Sequence, residues 1–253
     1  MDHKWNWDDG FDLKTIFDQL EFDAEPTERY IDTFPVTELE CKIDATELPN
    51  DASFIENLTK RPIKVVSKVA RLETHNLYRN ETDMSRYKTG VLIDGYFEIT
   101  SWNSFKKSKQ TWIKIKDDLT YITTDKFSIP VLIRSERKVP PSSRIYASTM
   151  REVKSWSYKG EFKKKCVDVS VLLGSCYFTL TFANAYFCDR HLSQLEIEYD
   201  GHMRGTRALT LSKILEHFDM LYSTIFNEAR PKPTVLTKAQ WIGAMHVLQK
   251  DNP

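Results

Sequence analysis

The chain has 253 residues, 36 acidic and 36 basic side chains, and 12% aromatic residues, enough length and apolar mass for one large domain. The charge balance argues neither for nor against a polyanionic partner, so only local clusters can speak to one. Four cysteines, Cys41, Cys166, Cys176 and Cys188, have no C-x-x-C spacing, which excludes a zinc ribbon or disulfide scaffold and reads as core thiols in a reducing compartment.

Met1–Gly10 is polar, without the basic start and apolar run of a signal peptide, and no apolar run approaches the ~20 residues of a membrane span. A cytosolic protein with no membrane partner is expected, and the sequons at Asn57 and Asn80 read as coincidences. Asp12 is placed to cap a helix carrying Leu13, Ile16, Phe17 and Leu20, and a second short helix is expected near Ala52 with Phe54, Ile55 and Leu58. Between them, Glu38-Leu39-Glu40-Cys41-Lys42 alternates as a strand, with Glu38, Glu40 and Lys42 on one face.

Further strands are expected at Ile63–Leu72, Gly90–Ile99, Trp112–Ile115, Phe127–Arg134, Ile145–Tyr158, Cys166–Leu173, Cys176–Ala183 and Leu192–Tyr199, with turn signals at Thr89-Gly90, Lys159-Gly160 and Gly174-Ser175. Gln194-Leu195-Glu196-Ile197-Glu198-Tyr199 repeats the acidic alternation. Leu211, Ile214, Leu215, Phe218, Leu221, Tyr222 and Ile225 mark a helix begun near Thr210, and Arg230-Pro231-Lys232-Pro233 reads as an extended linker to a tail around Trp241–Leu248. These elements describe a mainly β chain with flanking helices: a large antiparallel sheet or barrel.

Four glutamates on the inner face of a closed sheet repel one another by several kcal/mol unless cations sit among them. Carboxylate oxygens are hard ligands, so the pattern points to Mg2+ or Mn2+ and to phosphoryl transfer. Cations for phosphate oxygens are available at Lys64, Lys68, Lys114, Lys116, Arg134, Lys138, Arg151 and Lys154, and Asp168, between apolar neighbours, requires a base or metal-bound water. No P-loop or G-x-G-x-x-G is present. Glu198 stands where the Lys-Asp-Gly signature of nucleotidyltransferases needs its nucleophile. The histidines, His75 among them, lack zinc-protease spacing and read as structural or exposed, and Lys106–Lys109 and Lys163–Lys165 read as solvated loops.

On Thr37–Lys42, Leu195–Gly201, the basic strand Ile63–Arg71, Leu132–Pro140, Ser155–Tyr158 and Val167–Ser170, the chain resembles the metal-dependent RNA 5′-triphosphatases of the triphosphate tunnel family, found in fungi and in capping enzymes of large cytoplasmic DNA viruses. The resemblance covers about Thr37 to Ile225. It implies an antiparallel eight-stranded β tunnel over 37–228, preceded by a helical extension over 1–36 and followed by a tail over 229–253 leading toward a guanylyltransferase. Glu38, Glu40, Glu196 and Glu198 would hold Mg2+ or Mn2+. Glu136 and Asp168 would orient water or a basic side chain; Arg134, Lys114 and Lys64 would line the tunnel, with Arg151 and Lys154 close by.

The implied activity is removal of the γ-phosphate from 5′-triphosphate RNA in the cytoplasm, with NTPs as further substrates and guanylyltransferase and methyltransferase domains as partners. Glu196→Ala would abolish turnover and leave the fold intact. Family members carry a base where this chain has Val153, Ser155 and Cys166, and some carry glutamate at Gln194. Three alternatives stand beside this reading: a non-enzymatic interaction module, as in Mediator head subunits; an enzyme acting on tripolyphosphate or thiamine triphosphate; and a generic nucleic-acid-binding β domain.

Overall fold

Alternation of apolar and charged residues along long strands is resolved here by closing the sheet on itself and putting the apolar core outside the ring. The computed structural model describes residues 11–19, 30–31, 37–44, 57–59, 62–81, 88–101, 104–108, 111–226 and 231–251. Its elements in chain order are α1 (Leu13–Gln19), β1 (Tyr30–Ile31), β2 (Thr37–Asp44), β3 (Ile63–Arg79), β4 (Thr89–Ser101), β5 (Ser104–Ser108), β6 (Trp112–Thr123), β7 (Pro130–Val139), α2 (Tyr146–Lys154), β8 (Ser157–Leu173), β9 (Cys176–Phe187), β10 (Arg190–Met203), α3 (Leu211–Phe226), β11 (Pro233–Thr234) and α4 (Lys238–Asp251). Eight strands form a closed antiparallel ring in the order β2, β10, β9, β8, β3, β4, β6, β7, because β2 pairs with both β10 and β7. The expected eight-stranded antiparallel barrel is therefore observed.

The outward residues of β2, β8, β9 and β10, among them Leu39, Ile43, Val167, Val169, Phe178, Phe182, Leu195 and Ile197, pack under α1 and α3 as the main core. Full burial of each such side chain contributes about 1.5–3 kcal/mol. Asp12 caps α1 as expected: its carboxylate accepts from the Thr15 amide at 3.0 Å. Ile214, Phe218, Leu221, Tyr222 and Ile225 form the buried stripe of α3.

Four sequence expectations are corrected. Ile145–Tyr158 is not one strand. Its first part is α2, because the double proline Pro140-Pro141 ends β7 and the spacing of Tyr146, Thr149, Met150 and Val153 is helical; Thr149 and Val153 are buried. Gly90 is not in a turn either, since it lies inside β4, where an added Cβ would stand 2.6 Å from Val153 Cγ1, so glycine there lets α2 approach. Gly174 does make the β8–β9 turn, with φ +60°. Cys188 is exposed, unlike the other three cysteines.

The fourth correction concerns the tail. β11 adds to the edge of β2 beyond the point where β7 leaves it, and α4 buries Trp241 and Ile242 against Leu77, Phe162, Phe187 and Leu192 at one mouth of the barrel. The chain after Pro231 is thus part of the folded unit and not a free linker. No described helix is long and apolar enough to cross a membrane. The helix expected near Ala52 lies outside the described residues except for Asn57–Thr59.

Candidate active site inside the barrel

Because side chains alternate, every second residue of each strand points into the ring, and on β2, β3, β6, β7, β8 and β10 many of those residues are charged, whereas β4 and β9 contribute Thr89, Val91, Thr179 and Thr181. A cavity of about 270 Å³ is lined by Glu38, Glu40 and Lys42 from β2, Glu196, Glu198 and Asp200 from β10, and Asp168 and Lys164 from β8. Arg71, Glu73 and His75 from β3, Lys114 and Lys116 from β6, Arg134 and Lys138 from β7, and Lys238 at the start of α4 complete the charged wall. The four sequence-predicted glutamates do come together in one chamber. So do Arg134, Lys114 and Asp168, with Glu136 buried beside them and 2.7 Å from Lys116, 3.3 Å from Lys138 and 3.7 Å from Lys114.

Three other predicted residues are elsewhere. Lys64 is exposed near the start of β3, in a stretch separated from the inward residues by the irregularity between Val65 and Ser67. Arg151 and Lys154 are exposed on α2, outside the barrel, since their segment is helical and covers β4 and β6. Lys68 points under α1, donating to the Phe17 carbonyl. Lys163–Lys165 is not a loop but part of β8, with Lys164 inside and Lys163 outside. The side chains of Lys106–Lys109 lie outside the described residues.

Arg71, Glu73 and Lys238 are cavity residues that sequence reasoning does not single out, and His75, read as structural or exposed, lies on the cavity wall with them. The Arg-x-Glu-x-His alternation on β3 carries the same signal as Glu-x-Glu-x-Lys on β2 and was available to sequence reasoning. Arg71 also answers the missing base at Cys166: it lies opposite that cysteine in register and ion-pairs with Asp168, which in addition accepts from Thr181 Oγ1 at 2.8 Å. Lys238 had no local signal, because it enters from a helix distant in sequence.

The charges are arranged as two contrasting groups. Glu196 is held by three lysines: Lys42 at 2.6 Å, Lys164 at 3.6 Å and Lys238. Burial raises its pKa, but Lys238, Lys42 and Lys164 outweigh it and hold the carboxyl well below the usual range. Burial also pushes the Lys238 amine down to about 7, against the pull of Glu196, since Lys164 and Lys42 crowd it. Gln194 donates to the Leu236 carbonyl at 2.9 Å, fastening the tail where a third glutamate would stand.

Glu198 is the opposite case. It is buried, no ion pair to it is present among the described residues, and burial together with Glu38, Asp200 and Glu40 raises its carboxyl to about 8 despite Lys138. Glu38 is itself committed to Arg134 and, at 3.2 Å, to Lys116; these outweigh burial and hold it at about 2. Glu40 takes Lys42 at 2.6 Å and Arg134 at 2.9 Å.

The cations expected among the glutamates are supplied in part by the protein itself: its own lysines and arginine neutralise three of them. Glu196 is the less available donor, because Lys42 and Lys238 both donate to its Oε1 while Lys164 stands 3.6 Å from Oε2. Glu198 does fit, as a buried hard donor without a cation. No set of three His, Cys, Asp or Glu converges as a metal-binding group among the described residues, so an ion beside Glu198 would keep water or substrate oxygens in most of its shell.

No family model and no curated protein matches the chain. Solved structures similar in shape include the PH1012 protein of Pyrococcus horikoshii OT3, at 12% identity and TM-score 0.39 over 78% of this chain and 96% of that one. A proposed adenylate cyclase of Vibrio parahaemolyticus is similar at 11% identity and TM-score 0.41, over 83% and 98%. The RNA triphosphatase Pct1 of S. pombe, solved in complex with the Spt5 CTD, is similar at 11% identity and TM-score 0.35, over 87% and 86%. Likenesses this distant fix neither family nor reaction.

Proposed function

We propose that the barrel binds the triphosphate end of 5′-triphosphate RNA, or of a free NTP, and hydrolyses its γ-phosphate with Mg2+ or Mn2+. The observation that carries this reading is the interior itself: a closed ring whose inward positions are charged on strand after strand, with cations from β3, β6, β7 and β8 converging on one cavity. A packed barrel fills its centre with apolar side chains. Eight inward cations, Lys42, Arg71, Lys114, Lys116, Arg134, Lys138, Lys164 and Lys238, suit an elongated polyanion better than a neutral ligand.

In this reading Lys114, Lys138 and Lys164 take the non-bridging phosphate oxygens as charge moves onto them in the transition state, while Arg134, Lys116 and Lys42 hold the carboxylates in place. The barrel wall excludes bulk water, which strengthens each of these contacts. A divalent ion held at Glu198, with Glu38, Glu40 and Asp200 beside it, would supply further positive charge to the phosphate oxygens. The diphosphate end produced is the substrate chemistry of a guanylyltransferase, so guanylyltransferase and methyltransferase partners in the cytoplasm belong to the same proposal.

Phosphate release from γ-labelled triphosphate RNA, ATP and tripolyphosphate, each with Mg2+ or Mn2+, tests the reading. Release from RNA that is lost in Glu198→Gln supports it. Release from tripolyphosphate alone moves the substrate to an inorganic polyphosphate. The pairing of Arg134, Lys116 and Lys42 with carboxylates favours one second reading, a binding module without turnover, for which no release from any of the three is expected.

A further inference from the structure

Where the charged cavity meets the apolar mouth closed by α4, β3 places a histidine against a carboxylate. His75 Nε2 lies 2.7 Å from Glu73 Oε2, both residues are buried, and both line the cavity. The imidazole is stacked on Phe162, ring centroids 4.7 Å apart with an interplanar angle of 36°, which limits its rotation. Charged groups face the pair from three strands: Arg71 beside Glu73 on β3, Lys164 on β8 and Lys114 on β6. A carboxylate, one face of an imidazole and a wall of cations thus meet at the edge of the chamber proposed to hold the phosphates.

We propose that His75 is the proton acceptor for the attacking water in this chamber, and that Glu73 is the residue that positions it. The inference rests on the triphosphatase reading above. Glu73 is held ionised by Arg71, His75 and Lys164 against burial, so it accepts the hydrogen bond; Nε2 then carries the proton and Nδ1 keeps the basic lone pair. Burial, Lys164 and Lys114 hold the imidazole neutral at pH 7, the form a base requires, against the opposing pull of Glu73. The same two lysines attract phosphate oxygens, which brings the reacting phosphorus to the histidine's side of the cavity.

The step balances without a further reactant. Water oxygen bonds to the γ-phosphorus as the bridging P–O bond breaks; the bond's electron pair leaves on the diphosphate end, and one water proton passes to Nδ1. The imidazolium returns that proton to the released phosphate or to solvent. Asp168, a further acid of the inner wall, is committed to Arg71 and Thr181.

The test is the pH dependence of kcat for phosphate release by the full chain. Wild type is expected to lose activity toward acid with an inflection below 6.5, the ordinary histidine value. His75→Gln is expected to lower kcat about a hundredfold or more and to abolish that acid limb, with KM within a few-fold of wild type. Glu73→Gln is expected to lower kcat less and to move the limb, and imidazole in solution is expected to restore part of the activity of His75→Ala. A His75→Gln chain that keeps kcat, or that loses kcat yet keeps the limb, overturns the role of His75 and leaves the triphosphatase reading standing. No acid limb in active wild type overturns it even if the variants do not fold, whereas no release by wild type from RNA, ATP or tripolyphosphate overturns the triphosphatase reading and this inference with it.

Discussion

Glu196 and Glu198 stand two residues apart on one face of β10, yet they occupy opposite environments. The first is surrounded by Lys42, Lys164 and Lys238; the second by Glu38, Glu40 and Asp200, with Lys138 opposing them. The same residue type on the same strand is thus the anchor of a cation cluster in one position and an uncompensated acid in the next. The difference shows that the barrel interior is polarised: a carboxylate set among three amines lies next to one crowded by other carboxylates.

The hardest blow to this contrast is Glu196→Ala. Stripping the one carboxylate from three buried amines is expected to cost about 3–5 kcal/mol, measured as a lowered urea midpoint at unchanged slope, along with loss of phosphate release. This replaces the sequence-based expectation that the variant would leave the fold intact. A stability within about 1 kcal/mol of wild type would show that the lysines find other partners.

At the other pole, Mg2+ or Mn2+ at a hundredfold excess over its dissociation constant is expected to stabilise wild type by about 2.7 kcal/mol and Glu198→Gln hardly at all. Thermal unfolding with and without the ion checks this, and an equal shift in both proteins would move the metal away from Glu198. The Glu73–His75 pair, outside both poles, should appear as a slope. His75 is depressed below its ordinary 6.5 in the folded chain, so below that pH the unfolded chain takes up a proton that the native chain refuses. Stability should then fall by up to about 1.4 kcal/mol per pH unit as pH drops from 6.5 to the folded pKa, and His75→Gln should flatten that part of the urea-derived curve.

The smallest effects are expected from Lys64→Ala, Arg151→Ala and Lys154→Ala. All three residues are exposed and outside the chamber, so stability should change by less than about 0.5 kcal/mol and phosphate release should stay at the wild-type rate. A tenfold loss of release in any of them would mean that the substrate runs along the barrel exterior.

Strand alternation made much of this legible from residues alone. Glu38, Glu40 and Lys42 against Leu39, Cys41 and Ile43, and Gln194, Glu196 and Glu198 against Leu195, Ile197 and Tyr199, each declare a two-faced strand, because a side-chain period of two is intrinsic to extended backbone. The Asp12 cap and the α3 stripe are equally local. The first part of Ile145–Tyr158 carries a helical spacing of only two turns, too short to stand out beside the strand signals around it, and its burial comes from contact with Gly90 on a distant strand.

The sequence by itself determined which residues alternate, that carboxylates and bases share faces, and that the chain is mainly β. Only the tertiary structure decided which charge meets which. Lys42 reaches Glu196 across 154 residues, Arg134 reaches Glu38 across 96, and Lys238 arrives from a helix that local pattern assigned to a tail. Coulomb energies depend on separation in space and on exclusion of water, and barrel closure sets both. Whether an inward glutamate is a neutralised anchor or an acid crowded by its own kind is for that reason a property of the closed ring.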